Sequence, residues 1–379
     1  MKRLGLAACV ALSFVASCHK VQEETPLPEI DDTLEAAVQL GMAAPHIDIV
    51  SKSNGPIDSW TTQKINIIGF DTRFTYADAK GYLIDNISVS APTGDEDTGF
   101  PLRPEGDTYA GKPYFYLENT RYEFYGYYAD DAATSEIVKT ETGISIPLKI
   151  TGAQDIIAAK ADPQTDIDRS EHPNNSQVSI GDVYSSYAAR RGVHPSLNFQ
   201  HLLTRFQFFI VDGNKGYAEH PVEVTKITMD SWEYATLNIA PDPEYIADKS
   251  RTKVDMSLAG LLKEDGDGMT PSVDYIDPQN PGSAKTQHSL MLVPGESSYK
   301  LTVGLKFADD SNTQPIEDMV FTLKANQIIV STGGTISTFE AGKQYNIVLI
   351  VYGPEEIKID SILQEWDDVG GATIDPDEM

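Results

Sequence analysis

Apolar residues recur at every second position in several short segments of the chain, and clusters of Gly, Pro, Asn and Asp separate these segments. In residues 143–151 the alternation is strict, with these residues on one side: Ile144, Ile146, Leu148 and Ile150. A period of two places successive side chains on opposite faces of a strand, so this segment predicts a strand with one buried face. Pro147 has no N–H to donate to a ladder, which predicts an edge strand.

Two later segments add strands of different kinds. Residues 299–307 alternate again and predict a half-buried antiparallel strand whose inward side chains are Leu301, Val303, Leu305 and Phe307. Residues 345–352 are apolar on both faces except for Asn346, which predicts a central strand covered on each side. Helical periodicity is scarce, and short helical turns are predicted only at these segments: 33–43, 151–161 and 257–263. Many short strands with turn signals about every ten residues predict an all-β fold of β-sandwiches.

Aromatic side chains are concentrated in residues 122–128, Tyr-Glu-Phe-Tyr-Gly-Tyr-Tyr. Their alternation predicts one buried and one exposed face. A tyrosine combines an apolar ring with a polar tip, so the segment either fills a core or stacks on a sugar ring, and core packing is the favoured interpretation. His201 lies beside Leu202 and Leu203 and is predicted to be a packed histidine with one ring nitrogen hydrogen-bonded.

The N-terminus has the layout of an export signal. Lys2 and Arg3 precede an apolar run, Leu4 to Val15, that ends in Val-Ala-Ser-Cys18. The run is shorter than the roughly 20 residues that a spanning helix needs. Its end resembles a bacterial lipobox, in which the cysteine sulfur is acylated. We therefore predict a lipoprotein signal peptide at 1–17 with Cys18 as the lipidation site, and ordinary signal cleavage is the alternative.

Composition limits the partners and the organisation of the remaining chain. Residues 18–44 are acidic and contain prolines, which predicts a flexible tether. The formal net charge of −28 disfavours nucleic acid and anionic lipid surfaces as partners. A chain of 379 residues suggests two domains, which we predict at 45–192 and 193–379, just before a new apolar run begins at Leu197.

The sequence offers little that predicts catalysis. Apart from Cys18, the only cysteine is Cys9, inside the predicted signal peptide, so no disulfide or thiolate metal site is expected. The zinc-protease His-Glu-x-x-His motif, the Gly-x-Ser-x-Gly elbow and the glycine loops that bind phosphates or dinucleotides are all absent from the sequence. We expect no catalytic residues, no cofactor and no metal, and we predict that the protein is not an enzyme.

Several segments, together with the lipobox, resemble the fimbrillin family of pilins and pilus-associated lipoproteins of Bacteroides-type bacteria. They are, in order, 122–128, 144–150 leading into 154–159, 198–206, 288–295 and 339–347, followed by Gly353, Ile357 and Trp366. The resemblance implies two transthyretin-like β-sandwich domains in tandem. It also implies a structural or adhesive subunit of a cell-surface pilus, attached to the outer membrane by its lipid.

The resemblance further implies assembly by strand donation, in which a terminal strand of one pilin subunit fills an apolar groove of the next. The candidate donor is the segment 357–366, in which Ile357 and Ile359 alternate with polar residues and Trp366 is a large anchor. The alternative is that this segment is the last strand of its own sandwich. Further partners implied are a host or bacterial surface receptor or glycan.

Fimbrillin-type pilins lose their first strand by cleavage after a basic residue, commonly arginine. The candidate first strand here is 46–50, and the first arginine after the lipobox is Arg73, already inside an apolar segment. Lys52 or Lys64 would therefore be the cleavage site. An uncut protein would instead be an anchor or a minor pilus component. A monomeric glycan-binding lipoprotein of the cell surface is the alternative function.

Overall fold

The computed structural model describes residues 31, 33–43, 63–90, 100–101, 113–161, 184–262, 267–273, 282–309, 314–330 and 335–365. Within these residues the chain forms 21 strands and a single α-helix, α1 (Ser186–Ala189), with a few 3₁₀ turns. The predicted all-β fold is therefore confirmed. None of the helical segments in the described part of the chain has the length and apolar character needed to cross a membrane.

The strands follow one another closely along the chain. The first eight are β1 (Gln39–Ala43), β2 (Lys64–Asp71), β3 (Tyr82–Ser90), β4 (Phe100–Pro101), β5 (Tyr122–Tyr128), β6 (Val138–Lys139), β7 (Ile144–Lys149) and β8 (Ile157–Lys160). Next come β9 (Ser196–Asn198), β10 (Gln200–His201), β11 (Thr204–Asp212), β12 (Val222–Ser231), β13 (Tyr234–Ala240), β14 (Glu244–Ala247) and β15 (Val254–Ser257). The last are β16 (Lys285–Leu292), β17 (Ser298–Phe307), β18 (Met319–Lys324), β19 (Ile329–Val330), β20 (Lys343–Gly353) and β21 (Glu356–Glu365).

These strands form five sheets, labelled A to E here. Sheet A has the order β4-β1-β9, and sheet B the order β10-β8-β5-β2-β3. Sheet C has the order β14-β13-β7-β6, sheet D the order β15-β12-β17-β18, and sheet E the order β16-β11-β20-β21-β19. Most pairings are antiparallel, and the parallel ones are β1 with β9, β11 with β20 and β19 with β21.

Two apolar cores lie on the two faces of sheet B. Ile65 and Ile67 of β2 belong to the smaller core, which also contains the side chains of β1. Ile68 and Phe70, on the opposite face of the same strand, belong to the larger core, which extends through sheets C, D and E. Sheet B is therefore covered on both sides, which explains why its inner strands carry apolar residues at successive positions.

Aromatic rings form the centre of the larger core. The ring of Phe206 lies 5.3 Å from that of Tyr299, 5.2 Å from that of Phe339 and 5.6 Å from that of Tyr345, centroid to centroid. All four side chains are almost completely buried. Edge-to-face and offset contacts of this kind add about 0.5–1.5 kcal/mol per pair beyond simple burial.

Strand β7 has the predicted buried face, but it is not an edge strand. Its three inward side chains, and Ile150 just after it, are 5% exposed or less, yet β13 pairs with it on one side and β6 on the other. Pro147 lies opposite Thr236 of β13, and its carbonyl accepts a hydrogen bond from the Thr134 N–H at 3.0 Å. The N–H and C=O of one strand residue point to the same side. The side of Pro147 that lacks an N–H therefore faces away from β13, at a position that β6 does not reach. The hydrogen bonds between β7 and β13 are unaffected.

The central position predicted for β20 and the inward face predicted for β17 are confirmed, but the middle of β17 is not half-buried, because Thr302 on its opposite face is also buried. β17 lies between β12 and β18 in antiparallel pairing, and Leu301, Val303 and Leu305 are buried while Phe307 is partly buried. β20 is a central strand between β11 and β21, covered on both faces along most of its length.

The predicted helical turns at 33–43 and 151–161 are wrong, because these segments contain β1 and β8. Both find distant partners: β1 pairs in parallel with β9, and β8 pairs with β5 and β10. Residues 257–262 end β15 and turn without forming a helix. Non-local pairing outweighs weak local helical preference here.

Strand pairing crosses the predicted boundary between residues 192 and 193 in three places. β9 and β10, just after it, pair with β1 and β8, and β13 pairs with β7. The predicted tether at 18–44 also contains β1, so the packed part of the chain begins before residue 44. The division into two domains remains a prediction.

Four charged and aromatic residues from the loops after β12, β14 and β16 form a cluster. Lys249 and Lys253 both lie over the Trp232 ring, 4.9 and 4.4 Å from its centroid. Both ammonium groups also donate to Glu296, at 2.9 and 3.2 Å. Burial favours the neutral acid, but the two lysines outweigh it and lower the pKa of Glu296.

This lowered pKa predicts a specific acid sensitivity. The carboxylate stabilises the folded state above its unfolded pKa, near 4.5, and this contribution is lost as the pH falls through the lower folded pKa. Glu296→Gln should therefore cost about 1 kcal/mol at pH 7 and progressively less in acid. Urea unfolding at pH 7 and pH 3 measures both values. If Glu296→Gln lowers the free energy of unfolding by the same amount at both pH values, the stabilising role of the Glu296 carboxylate is contradicted.

Candidate functional site

Strand β1 is a buried apolar strand near the start of the described chain. Its sheet neighbours are β4, with Leu40 opposite Phe100, and β9, with Gly41 opposite Ser196. The Val38 N–H donates to the Tyr114 carbonyl at 2.8 Å, so the residues before β1 are also held in place. The following alternate side chains point inward and are buried: Ala36, Val38, Leu40 and Met42.

The groove that receives β1 is lined by aromatic residues. The Tyr116 ring lies 6.1 Å from that of Phe124, which lies 5.9 Å from that of Tyr184, and Leu197 of β9 belongs to the same core. Burial raises the pKa of the Tyr116 hydroxyl well above its usual range. Alternate apolar pockets beside exposed main-chain groups are what a strand-addition site requires. Removing β1 would create such a site.

β1 is a strand that the sequence analysis did not predict. The sequence predicts a tether and a short helical turn for these residues, and it predicts the first strand at 46–50, which lies outside the described residues. The signal was nevertheless present, because Ala36, Val38, Leu40 and Met42 alternate with a period of two.

The candidate donor segment is seated in its own sheet. β21 forms an antiparallel hairpin with β20, from Gly353 opposite Glu356 to Lys343 opposite Glu365. Ile357 is buried in the larger core and Ile359 packs against it, whereas Lys358 and Asp360 are exposed. The predicted alternation is therefore confirmed. The donor role itself remains a prediction.

Within the part of the chain that the structure describes, one side of β21 is unpaired over part of its length. β19 pairs with it in parallel at Ile362 and Leu363. Among the described strands, none pairs with residues 356–361 on that side. Unpaired main-chain groups along an edge are a template for another strand.

The other predicted site residues are distributed as follows. Lys64 is the exposed first residue of β2, opposite Ser90 of β3. A cut after Lys64 would leave the rest of β2 in sheet B and detach everything before it, including β1. Cys18, Lys52 and Trp366 lie outside the described residues.

The aromatic segment of β5 is part of the core on both faces. Tyr122 and Phe124 belong to the smaller core, and Tyr125 and Tyr127 to the larger one. Core packing is confirmed, but the predicted exposed face is wrong, because β5 is an inner strand of a sheet covered on both sides. A Cβ at Gly126 would approach the Phe199 ring to 2.6 Å, so only glycine fits there. The exposed tyrosines that favoured glycan binding are therefore not at these positions.

His201 has the predicted structural role. Its ring is buried, and Nδ1 lies 2.9 Å from a carboxylate oxygen of Asp155. No group of three His, Cys, Asp or Glu side chains within the described residues is placed to hold a metal ion.

Comparison with known proteins gives a consistent result. The sequence model of the fimbrillin-like family matches residues 53–366. A candidate cell adhesion protein of Bacteroides uniformis has a similar fold, with a TM-score of 0.50 at 13% identity, covering 88% of this chain and 98% of that one. A fimbrial protein of Bacteroides vulgatus is 12% identical with a TM-score of 0.45, covering 87% and 99%. The fimbrial anchor protein Mfa2 of Porphyromonas gingivalis is 11% identical with a TM-score of 0.35, covering 87% and 99%. No curated protein sequence matches the chain.

Proposed function

Because this chain belongs to the fimbrillin-like family, we propose that it is a structural or adhesive subunit of a cell-surface pilus, exported as a lipoprotein and assembled by strand addition. Its partners are other pilin subunits, and the acylated Cys18 attaches it to the outer membrane. It has no catalytic role. The observation that carries the proposal is the buried apolar strand β1, which precedes both candidate cleavage sites, Lys52 and Lys64.

The geometry supports a simple assembly step. Cleavage after Lys52 or Lys64 releases β1 and opens the groove lined by Tyr116 and Leu197. A neighbouring subunit then supplies a strand whose alternate apolar side chains fill the vacated positions. Ile357 and Ile359 have the required spacing, and Trp366 follows. When β21 is donated, it gives up its main-chain hydrogen bonds with β20. It forms new ones with the strands that line the groove of the neighbouring subunit.

Lipidation is tested by replacing the cysteine. Cys18→Ala should abolish labelled palmitate incorporation and release the protein from the membrane fraction, because acyl chains contribute about 0.8 kcal/mol per buried methylene. Cys9→Ala is the matched control, since Cys9 lies within the predicted signal peptide, and it should be acylated normally. Full acylation of Cys18→Ala would refute the anchor.

The mature N-terminus distinguishes the roles of the subunit. N-terminal sequencing of pili sheared from cells should find a new end after Lys52 or Lys64 in a stalk subunit. An acylated Cys18 at the cell surface would identify an uncut anchor or minor component. Finding only uncut monomers, absent from sheared pili, would overturn the proposal.

A further inference from the structure

A cleft of about 630 Å3 opens between sheet B and residues 128–139, away from both β1 and β21. Its volume is in the range of small-molecule binding sites, about 300–1,000 Å3. Of the residues that line it, only Lys64, a candidate cleavage site, has a part in the assembly proposed above. The role of the cleft is therefore inferred from the residues that line it.

The floor of the cleft consists of polar side chains from three neighbouring strands. Asn66 of β2 lies opposite Tyr127 of β5 on one side and opposite Ser88 of β3 on the other. Farther along the same face of β2, Ile68 and Phe70 are buried in the larger core. The face thus changes from apolar to polar at Asn66, where the core ends and the cleft begins.

A β-bulge in β3 brings two more polar side chains into the cleft. Ile84 and Ile87 are three residues apart, yet both belong to the smaller core, and the pairing with β2 shifts register between Ile67 and Gly69. The extra residue lets both Asp85 and Asn86 line the cleft. Bulges redirect side chains in this way next to binding sites.

Asn86 is held in a defined orientation. Its φ of +50° lies in the left-handed region, which asparagine tolerates better than most residues. Its Oδ1 accepts a hydrogen bond from the Tyr127 hydroxyl at 2.9 Å. The amide Nδ2–H group is then left to donate to a ligand.

The wall opposite the polar floor contains charged side chains of both signs and apolar side chains. Lys139 forms an ion pair with Asp85 and lies 3.9 Å from the centroid of the Tyr82 ring. With Lys64, Asp130 and Glu136, the lining carries three acids and two bases, so it is almost neutral in a chain of net charge −28. The remaining wall is Tyr128, Ala129, Ala133, Ser135, Ile137 and Ile146.

We propose that this cleft binds a short neutral oligosaccharide. A sugar presents C–H faces, which pack on Ile137 and Ala133, and neighbouring hydroxyls, which pair with the amides of Asn66 and Asn86. A peptide fits less well on the floor, because Asn66 and Tyr127 stand on inner strands whose main-chain groups are already paired. β3 and β6, which also line the cleft, are edge strands, and the trialanine probe tests whether a peptide binds along them. Anionic sugars are disfavoured by the overall negative charge. This adhesive function does not depend on the proposed assembly.

Ligand-observed NMR and calorimetry on the purified full chain test the proposal. The probes are maltotriose, cellotriose and triacetylchitotriose, with trigalacturonate as the anionic sugar and trialanine as the peptide. At least one neutral trisaccharide should bind, and trigalacturonate and trialanine should not. Asn86→Gly keeps the left-handed backbone and removes the amide, and it should weaken binding about fivefold to tenfold. Tyr217→Ser, on a residue that is 90% exposed and outside the cleft lining, should leave affinity unchanged.

The melting temperature of each variant separates loss of contact from loss of fold. Asn66→Ala provides a second removal of an amide and should also weaken binding. Failure of all three neutral sugars to bind, binding of trialanine alone, or unchanged affinity in both asparagine variants would overturn the proposal. Each of these results is independent of whether the chain polymerises.

Discussion

Cutting the folded chain after residue 52 or 64 and releasing β1 is expected to convert a stable monomer into a polymerising subunit. Release exposes the groove occupied by Val38, Leu40 and Met42, whose burial is worth about 1.5–3 kcal/mol for each side chain. An exposed apolar groove with unpaired strand edges then favours capture of a strand from another molecule. A protease recognition sequence placed within residues 53–62 allows the cut to be made on the purified protein, and light scattering follows the mass.

A synthetic peptide of residues 33–43 provides the sharpest control. In excess, it should refill the groove and keep the cut chain monomeric. The same peptide with Leu40→Asp should fail, because it would place a charge in the smaller core. Gln39→Asp is the matched variant, since Gln39 is not one of the inward side chains, and that peptide should still block polymerisation. A cut chain that releases β1 and stays monomeric without peptide would refute the mechanism.

Phe206→Ala is expected to remove a large part of the stability of the protein. The side chain lies at the centre of the ring cluster formed with Tyr299, Phe339 and Tyr345. Truncating a buried phenylalanine costs about 3–5 kcal/mol, through lost apolar transfer energy and the cavity that remains. Total stabilities of domains are about 5–15 kcal/mol, so the variant should unfold at much lower urea concentration. Equilibrium urea unfolding followed by tyrosine and tryptophan fluorescence measures the change.

Two further variants show whether the effect depends on burial. Phe206→Leu keeps most of the volume and should cost clearly less than the alanine variant. Tyr217→Ser removes an aromatic ring that is 90% exposed, and it should change stability by less than about 0.5 kcal/mol. Equal losses in Phe206→Ala and Tyr217→Ser would show that the ring cluster is not a stabilising centre.

Local periodicity was sufficient to predict many individual strands. The alternation in β7 and β17 identified their buried faces, and the two-sided apolar pattern of β20 identified a central strand. These patterns are reliable because strand geometry fixes which neighbours along the chain share a face. The order of several short segments also indicated the family.

Predictions that depended on a partner strand were less successful. Pro147 predicted an edge strand, but its missing N–H lies on the β6 side of β7, at a position that β6 does not reach. The segment 122–128 indicated one exposed face, but sheet B has a core on each side. The sequence of one segment does not show which other elements will cover the two faces of its sheet.

Sequence patterns alone therefore indicated the all-β class, the inward faces of the regular strands and the family, and they predict the lipidation site. Three features became visible only in the folded protein: β1 fills an aromatic groove, β7 pairs with β13 across the predicted boundary, and a bulge turns Asp85 and Asn86 towards Tyr127 and Asn66. The physical reason is that alternation is set by neighbouring residues, whereas strand partners, register and the cover of each face are set by contacts between residues far apart in the chain.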